Sequence, residues 1–370
     1  MQREFAGVLL HRGKHVANPR PRPLECGVPQ VDRESRVAAP PETWEDHVRR
    51  TFRAMVTART LESKLASLYK AGKIVGGVYI GPGQEAVSAS IGSCLTWDHD
   101  IFGALIRDQG GRTAFGEPML DATRSYLGSI NGPSRGRDGN IHRGHPTEGL
   151  PAMISHLGAM ISVVAGMLFA RRIQGRLDGV VGAASVGDGA SSTGSFHEAM
   201  NLAAVENLPL VVILANNQFA YSTPTDRQFA CRSLVDRAIG YGIAGHEVDG
   251  TDLLASLEVV SKAVNDARGG GGPQLVVANL LRLSGHGEHD DASYVPETLK
   301  NSPLGRDCMA VAEQQLLAAG FLTEPEIEAW KKEAAEEVQT AVALAQQEAA
   351  PDPFADDWIV YASPELAEES

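Results

Sequence analysis

The chain has 370 residues, of which 43% are hydrophobic and 21% are charged, as is usual for a globular protein of one or two domains. Its formal net charge of −13 argues against a broad nucleic-acid-binding surface, which has to be basic. No stretch approaches the roughly 20 uninterrupted apolar residues that cross a membrane. We therefore expect neither a nucleic-acid partner nor a membrane partner.

The cysteines and the composition of the N-terminus indicate the cellular compartment of the protein. The four cysteines lack the spacing of a metal site or a disulfide framework, which indicates a reducing compartment. They are Cys26, Cys94, Cys231 and Cys308. The first residues are basic and poor in acids but lack the serine richness of a transit peptide. We expect a cytoplasmic protein of bacterial type and favour this over an organellar matrix.

The chain divides into three predicted parts. Residues 1–41 are rich in proline and show no periodicity, so we expect a flexible or partner-embracing arm. Residues 42–300 form the main domain, which begins with a helix between the capping pair Thr43 and Asp46 and the stop at Gly72. Residues 301–370 form a helical C-terminal extension and tail, with a second capping box at Thr323 and Glu326.

A glycine-rich turn after the first helix permits an alternative function. The pattern Gly81-x-Gly83-x-x-Ala86 follows the short apolar run Val78-Tyr79-Ile80, as in a dinucleotide-binding fingerprint. Pro82 lies inside the turn and the strand would be only three residues long. The pattern is therefore weak, and a plain glycine turn before a helix explains it equally well.

Two loops carry clustered histidines. The segment 131–151 is rich in Gly, Pro and charge, contains His142 and His145, and is too long for an ordinary connection. The segment after Leu283 contains His286 and His289, followed by two aspartates. Either pair could ligate a metal, but neither has the three or four ligands at regular spacing that zinc requires.

The centre of the chain, residues 180–224, holds two buried strand patterns with a helical pattern between them. The first strand runs into Gly187-Asp188-Gly189, and the second into Asn216 and Asn217. Flanking glycines and a helix N-terminus suit phosphate, and a carboxylate with an amide oxygen suits Mg²⁺. Because ligands collect at the carboxyl ends of parallel strands, the pair predicts a magnesium-diphosphate site.

Alternating strands and helices continue to about Leu283, which predicts an α/β fold with a doubly wound parallel sheet and helices on both faces. The GDG and NN motifs, with the spacer between them, form the thiamine-diphosphate motif. The surrounding sequence resembles the alpha subunit of the decarboxylating first component of pyruvate and branched-chain 2-oxoacid dehydrogenase complexes. The resemblance covers 41–353 and includes GQEA at Gly83–Ala86, NNQFAYSTPT, VDG at Val248–Gly250 and the stretch Arg282–Asp291.

The resemblance implies a set of site residues. Asp188, Asn217 and the Phe219 carbonyl would be Mg²⁺ ligands, and His286 would be catalytic, beside the thiazolium and the substrate. The residues implied to contact thiamine diphosphate are Arg107, Ser155, Leu157, Gly187, Asp188, Gly189, Ala190, Asn217, Phe219 and His286.

The resemblance also implies partners. A beta subunit in an α2β2 heterotetramer would supply the glutamate that activates the cofactor, a small 2-oxoacid would be the substrate, and a lipoyl-bearing acyltransferase would take the acyl group. Two alternatives remain open at this stage: a nicotinamide-dependent oxidoreductase that uses Gly81–Ala86, and a catalytically weak assembly subunit of the same fold.

This sequence departs from the family pattern at several positions. Ile106 replaces a tyrosine before the phosphate-binding arginine, and Ala215 replaces an arginine of branched-chain members. Ala159 and Met160 replace the Thr-Gln pair of a potassium site. Gly287 follows His286 where regulated members carry a serine, so phosphorylation at that position is impossible.

Overall fold

The computed structural model describes residues 43–352 and residue 354. The predicted N-terminal arm and most of the predicted tail lie outside the described residues, and the division at residue 300 stays a prediction. The helices of the described part are α1 (Trp44–Lys70), α2 (Glu85–Ser93), α3 (Gln109–Phe115), α4 (Met119–Leu127), α5 (Ala159–Ile173), α6 (Gly194–Val205), α7 (Arg237–Tyr241), α8 (Leu253–Arg268), α9 (Glu297–Lys300), α10 (Cys308–Ala319) and α11 (Glu324–Gln347). None of them is long and apolar enough to cross a membrane.

The strands of the described residues are β1 (Ile101–Gly103), β2 (Gly182–Gly187), β3 (Leu210–Asn216), β4 (Phe219–Ala220), β5 (Thr223–Pro224), β6 (Ala244–Asp249) and β7 (Gln274–Asn279). Five of them form one parallel sheet in the order β1-β2-β3-β7-β6, while β4 and β5 form an antiparallel hairpin. The predicted parallel α/β sheet is therefore confirmed.

Alternate residues of the central strands point to opposite faces of the sheet, as the period of a strand requires. Ala184 and Val212 pack with α5 and α6 on one face. Ala183 and Val211 pack with α2 and α8 on the other. Both faces are thus covered by helices, which explains why β2 and β3 read as continuous apolar runs rather than alternating ones.

The strand register sets the position of the site. Gly187 at the end of β2 pairs with Ala215 of β3, and Asn216 at the end of β3 pairs with Asn279 of β7. The carboxyl ends of these three neighbouring strands therefore lie along one edge of the sheet. The segments that follow them meet at this edge.

Helix ends follow the predicted capping chemistry. Thr43 Oγ1 accepts the Asp46 N–H at 3.1 Å, and Thr323 and Glu326 form the predicted capping box of α11. The C-terminal helix α11 packs along α1, where Val338 shares a core with Leu61.

Val78, Tyr79 and Ile80 form no strand, so the strand that the dinucleotide alternative requires before Gly81 is absent. In the segment Cys231–Ile239, helical backbone is restricted to a 3₁₀ turn, Leu234–Asp236, and the start of the short α7 (Arg237–Tyr241). Ser233 and Asp236 cap that turn through reciprocal backbone hydrogen bonds, so the helical backbone begins later than the apolar pattern suggests.

Candidate active site

A cavity of about 500 Å³ opens at the carboxyl ends of β2 and β3. All ten residues that the resemblance implied for the cofactor lie on its wall. They come from separate parts of the chain, and the parallel sheet brings them together because Asp188 and Asn217 follow directly on neighbouring strands. Their roles stay predictions.

Asp188 is 2% exposed and caps the 3₁₀ turn Gly189–Ser192. Its Oδ1 accepts the Gly189 N–H at 2.8 Å, whereas its buried Oδ2 has no hydrogen-bond partner. Burial raises the pKa of Asp188 to about 6. A buried carboxylate with a free oxygen is costly by itself and suits a cation.

Asn217 presents a second free oxygen to the same cavity. Its Nδ2 donates to Gln84 Oε1 at 2.7 Å, which turns the amide so that Oδ1 is the atom left without a partner. Two unpartnered buried oxygens, one charged and one neutral, are hard ligands of the kind Mg²⁺ takes together with phosphate oxygens. The residues present therefore fit a magnesium ion.

The third implied ligand, the Phe219 carbonyl, begins the β4–β5 hairpin. Arg282 holds this hairpin from the β7 side, since its Nη1 lies 3.4 Å from the Phe219 carbonyl and its Nη2 donates to the Tyr221 carbonyl at 2.9 Å. Arg282 lines the cavity as well. In the sequence Arg282 stands out only as part of a motif, so its role in orienting the proposed ligands, like that of Gln84, was missed.

Gly189 allows the hairpin to approach the turn after β2. A Cβ built on Gly189 would lie 2.4 Å from the Ala220 Cβ, so a larger residue cannot fit. A Cβ built on Gly187 would meet no atom within 4 Å. The two glycines of the GDG motif thus differ: the first faces open space, and the second packs closely against the Ala220 methyl group.

Arg107 is fixed by backbone carbonyls. Its guanidinium donates to Ile80 O at 2.7 Å and to His286 O at 2.6 Å. Burial, aided by the charge of Arg282, lowers the pKa of Arg107 to about 9, so the guanidinium is still protonated at neutral pH. A fixed cation on the cavity wall is suited to a diphosphate.

His286 stands beside this cation and between two aromatic rings. Its ring centroid lies 5.4 Å from that of Tyr79 and 4.7 Å from that of Tyr221. Burial, followed by the charges of Arg107 and Arg282, lowers the pKa of His286 to about 4. The imidazole is therefore neutral at physiological pH.

A hydrogen-bond network holds the His286 loop. Asp290 Oδ2 accepts both the His286 backbone N–H and the Tyr294 hydroxyl at 2.6 Å, and Arg282 Nη2 contacts that hydroxyl at 2.5 Å. Burial opposes ionisation of Asp290, but Tyr294 and backbone N–H groups outweigh it and lower the pKa of Asp290 to about 2. Asp290 thus positions the loop that carries His286.

Ser155 and Leu157 form the outer wall. Ser155 is exposed, and its Oγ lies 2.6 Å from His142 Nε2. Leu157 is 61% exposed, while its backbone carbonyl accepts the Ser195 hydroxyl at 2.7 Å. Two of the positions that depart from the family pattern, Ile106 and Ala215, add apolar surface to the same cavity.

The structure disagrees with the dinucleotide alternative. The Gly81 N–H donates to Glu62 Oε1 at 3.0 Å, and the Gly83 N–H donates to Glu85 Oε2 at 2.8 Å. Two buried carboxylates therefore occupy the donors that a pyrophosphate would need, and no strand precedes the turn.

The histidine pairs do not form metal centres. Within residues 43–352 and 354, no group of three or more His, Cys, Asp or Glu side chains could hold a metal ion. His145 Nε2 instead lies 3.3 Å from Asp121 Oδ2, and His142 bonds to Asp138 and Ser155.

The parallel α/β sheet opens its cavity at the carboxyl ends of the strands, which is where α/β proteins of this class bind their ligands. A profile of the dehydrogenase E1 component family matches residues 53–354. The chain therefore belongs to the dehydrogenase E1 component family. The predicted family, enzyme class and α/β fold are confirmed.

Several curated proteins are similar to this chain. The alpha subunit of acetoin:2,6-dichlorophenolindophenol oxidoreductase of Cupriavidus necator is 34% identical over 315 residues, 84% of this chain and 93% of that protein. The alpha subunit of 2-oxoisovalerate dehydrogenase of Bacillus subtilis is 34% identical over 260 residues, which are 68% of this chain and 78% of that protein. The alpha subunit of the pyruvate dehydrogenase E1 component of Rhizobium meliloti is 29% identical over 304 residues, which are 82% of this chain and 86% of that protein.

Proposed function

We propose that the chain is the alpha subunit of a thiamine-diphosphate-dependent 2-oxoacid dehydrogenase, which decarboxylates a 2-oxoacid and passes the acyl group to the lipoyl group of an acyltransferase. The observation that carries the proposal is the pair of buried, unpartnered oxygens of Asp188 and Asn217 in one cavity. The match to the E1 family over most of the chain supports it.

Mg²⁺ would be held by Asp188 Oδ2, Asn217 Oδ1 and the Phe219 carbonyl. A cation there would offset the burial that raises the pKa of Asp188 and would keep the carboxylate ionised. The backbone N–H of Ala190 and the guanidinium of Arg107 would hold the diphosphate. The Gly189 N–H would join them when Asp188 Oδ1, which accepts it at 2.8 Å, releases it. Gly187 leaves open space between the strand end and these groups.

Thiamine diphosphate supplies the electron sink for decarboxylation when it is bound. His286, neutral because of its low pKa, would accept a hydrogen bond or a proton from the substrate at the other end of the cavity. Ser155 and Leu157 would contact the aminopyrimidine from the outer wall. Apolar residues such as Ile106 and Met153 would receive the carbon chain of the 2-oxoacid and exclude water.

A beta subunit would complete the site in an α2β2 assembly. Ile154 is 36% exposed, Leu157 61% and Tyr221 48%, and all three lie on the cavity wall. Apolar surface next to a catalytic cavity favours a protein cover. The similar proteins are themselves named as alpha subunits. The cytoplasmic location stays a prediction from the cysteine usage.

A second candidate substrate is acetoin. It is favoured by the similarity to the acetoin oxidoreductase subunit, which extends over 93% of that protein. The same residues would bind the cofactor in either case. Whether the enzyme takes acetoin or a 2-oxoacid would then depend on which molecule fits the apolar end of the cavity.

The experiment is calorimetric titration of thiamine diphosphate into the chain mixed with its beta subunit, with and without Mg²⁺. We expect Mg²⁺-dependent binding, which Asp188→Ala weakens by about a hundredfold and Asp178→Ala leaves unchanged, because Asp178 is exposed in the segment before β2. Dye reduction with pyruvate, branched-chain 2-oxoacids and acetoin then identifies the substrate. Binding of NAD alone would contradict the proposal, and tight cofactor binding without turnover of any substrate would indicate an assembly subunit.

A further inference from the structure

A buried carboxyl on the first helix contacts the turn that holds Arg107. Glu62 lies in α1 and is 3% exposed, and its Oε1 accepts the Gly81 N–H at 3.0 Å. Arg107 Nη1 donates to the Ile80 carbonyl at 2.7 Å. This carbonyl and the Gly81 N–H belong to the same peptide group, which is planar and rigid. Glu62 and Arg107 therefore bind the two polar ends of one peptide group.

The turn also lies directly against the backbone of Arg107. A Cβ built on Gly81 would lie 2.5 Å from the Arg107 carbonyl, so no side chain fits between them. The φ of Gly81 is not positive, so this close approach requires the glycine and the backbone conformation does not. A movement of the Gly81 turn is therefore transmitted to the segment that carries the Arg107 side chain.

The second oxygen of Glu62 has no partner within the part of the chain that the structure describes. Oε2 is buried and makes no hydrogen bond. Glu85, which accepts the Gly83 N–H in the same turn, is by contrast paired with Arg59. A buried polar atom without a partner lowers stability, and such costs concentrate at functional sites. The burial of Glu62 therefore indicates a role other than stabilising the fold.

We propose that Glu62 is a positioning residue for the guanidinium of Arg107 at the diphosphate end of the cavity, an inference that rests on the proposed function. Glu62 fixes the Ile80–Gly81 peptide group through its N–H, and the carbonyl of that group fixes Arg107 Nη1. The His286 carbonyl holds the guanidinium at a second point, 2.6 Å from Nη2. A guanidinium has enough N–H groups to bind both carbonyls and a diphosphate at once.

Glu62 acts through its hydrogen bond and not through its charge. Burial raises the pKa of Glu62 to about 8, so the carboxyl is mostly protonated at neutral pH. A glutamine at this position keeps a carbonyl oxygen that accepts the Gly81 N–H. A methionine of similar size has no such acceptor. The pair of variants Glu62→Gln and Glu62→Met therefore separates the hydrogen bond from the volume of the side chain.

The first readout is amide hydrogen exchange in residues 78–83, measured by mass spectrometry on the full chain with its beta subunit and without cofactor. We expect Glu62→Met to increase exchange in this segment by about tenfold, while Glu62→Gln leaves it unchanged. Unchanged exchange in Glu62→Met would overturn the proposal. This measurement does not depend on the proposed reaction.

The second readout is the affinity of the same complex for inorganic diphosphate and for thiamine diphosphate with Mg²⁺, measured by calorimetry. We expect Glu62→Met to weaken both by about tenfold, because the lost contact acts at the diphosphate end. Glu62→Gln should bind both as the wild type does. Equal losses in the two variants, or a loss limited to thiamine diphosphate, contradict a positioning role toward Arg107.

A double-mutant cycle shows whether Glu62 acts through Arg107. Arg107→Met alone should weaken diphosphate binding more than Glu62→Met does. Adding Glu62→Met to Arg107→Met should then cause less than about a twofold further loss, because the positioned group is already absent. Additive losses would mean that Glu62 acts independently of Arg107 and would overturn the proposal.

The matched control is Thr51→Val, which removes a buried hydroxyl from the same helix, where it donates to Ser93 at 2.9 Å. Thr51 lies about 16 Å along the helix from Glu62. The control should lower the thermal midpoint without changing the affinity for diphosphate. A loss of affinity as large as that of Glu62→Met would show that lower stability alone explains the effect.

If Glu62→Met does not fold, Gly81→Ala tests the same contact. Its Cβ would press on the Arg107 carbonyl and should weaken diphosphate binding, and unchanged binding would overturn the proposal. A wild-type complex that binds neither diphosphate nor thiamine diphosphate contradicts the proposed function instead. The exchange measurement then decides whether Glu62 holds the turn.

Discussion

Arg107 donates a hydrogen bond of 2.6 Å to the backbone carbonyl of His286, and the same guanidinium lies 3.4 Å from the imidazole Nδ1. Arg107, the group proposed to hold the diphosphate, therefore also helps to lower the pKa of His286, the group proposed to face the substrate. Because burial is the larger cause of the low pKa of His286, the cation adds to an effect that is already present.

Removing this charge should raise the pKa of His286. We expect Arg107→Met to move it upward from about 4 while burial keeps it below the ordinary value. Histidine nitrogen-15 titration measures the change. Arg53→Met, which removes an exposed arginine on α1, should have no effect. An unchanged value in Arg107→Met would show that burial alone lowers the pKa.

The GDG glycines should respond differently to alanine. A Cβ on Gly189 would overlap Ala220 at 2.4 Å and displace the β4–β5 hairpin, so Gly189→Ala should lower the thermal midpoint of the cofactor-free chain. Gly187→Ala should leave it within about 1 °C, because its Cβ meets no atom within 4 Å. Equal midpoints for the two variants would show that the hairpin is free to move.

The raised pKa of Glu62 predicts that the free energy of unfolding of the protein depends on pH. Burial, followed by the charge of Glu85, raises the pKa of Glu62 to about 8. The folded state favours the protonated carboxyl, so its contribution is complete below the unfolded pKa and is lost as the pH rises through about 8.

Glutamine mimics the protonated Glu62 side chain. We expect Glu62→Gln to match the wild type at about pH 4, below the unfolded pKa, and to be more stable by about 2 kcal/mol at about pH 9. Urea unfolding at both pH values measures this difference. Glu337→Gln on the exposed face of α11 serves as the control. A Glu62→Gln variant that is less stable at pH 9 would mean that the ionised carboxylate has a partner in solution.

A buried ion cluster supports the loop that carries His142. Glu117 bonds to Arg112 Nη1 at 2.9 Å and to Arg143 Nη2 at 2.9 Å. Burial opposes its ionisation, but the two arginines outweigh this and lower the pKa of Glu117. Glu117→Ala leaves two buried cations uncompensated and should cost about 3 to 5 kcal/mol.

The matched control for Glu117→Ala is Asp266→Ala, which breaks an exposed pair with Lys262 and should cost less than about 0.5 kcal/mol. Chemical unfolding of both variants measures the difference. Similar values would show that water reaches the Glu117 cluster.

Much of the site could be predicted from the chain itself. Asp188 and Asn217 each follow a buried apolar strand, and parallel strands bring their carboxyl ends to one edge. Strand periodicity alone therefore predicts that the two side chains lie close together. The sequence shows a glycine at position 189, but it does not show that the β4–β5 hairpin packs closely against this residue.

Other parts of the site could not be predicted. The turn at Gly81 and Gly83 has the spacing of a phosphate loop, but the carboxylates of Glu62 and Glu85 reach its N–H groups from outside the turn and from the next helix. The spacing of the glycines predicts which backbone N–H groups the turn offers. It does not predict whether a phosphate or a side chain of the protein accepts them.

The sequence by itself determined the α/β fold, the family and the residues at the strand ends, because these follow from local periodicity and short motifs. The tertiary structure decided that Arg107 is held by Ile80 and His286, that Asn217 is turned by Gln84, and that His142 joins Ser155 to Asp138. These contacts form across irregular loops or between distant segments, whose backbone path depends on packing and on hydrogen bonds that no repeating pattern encodes.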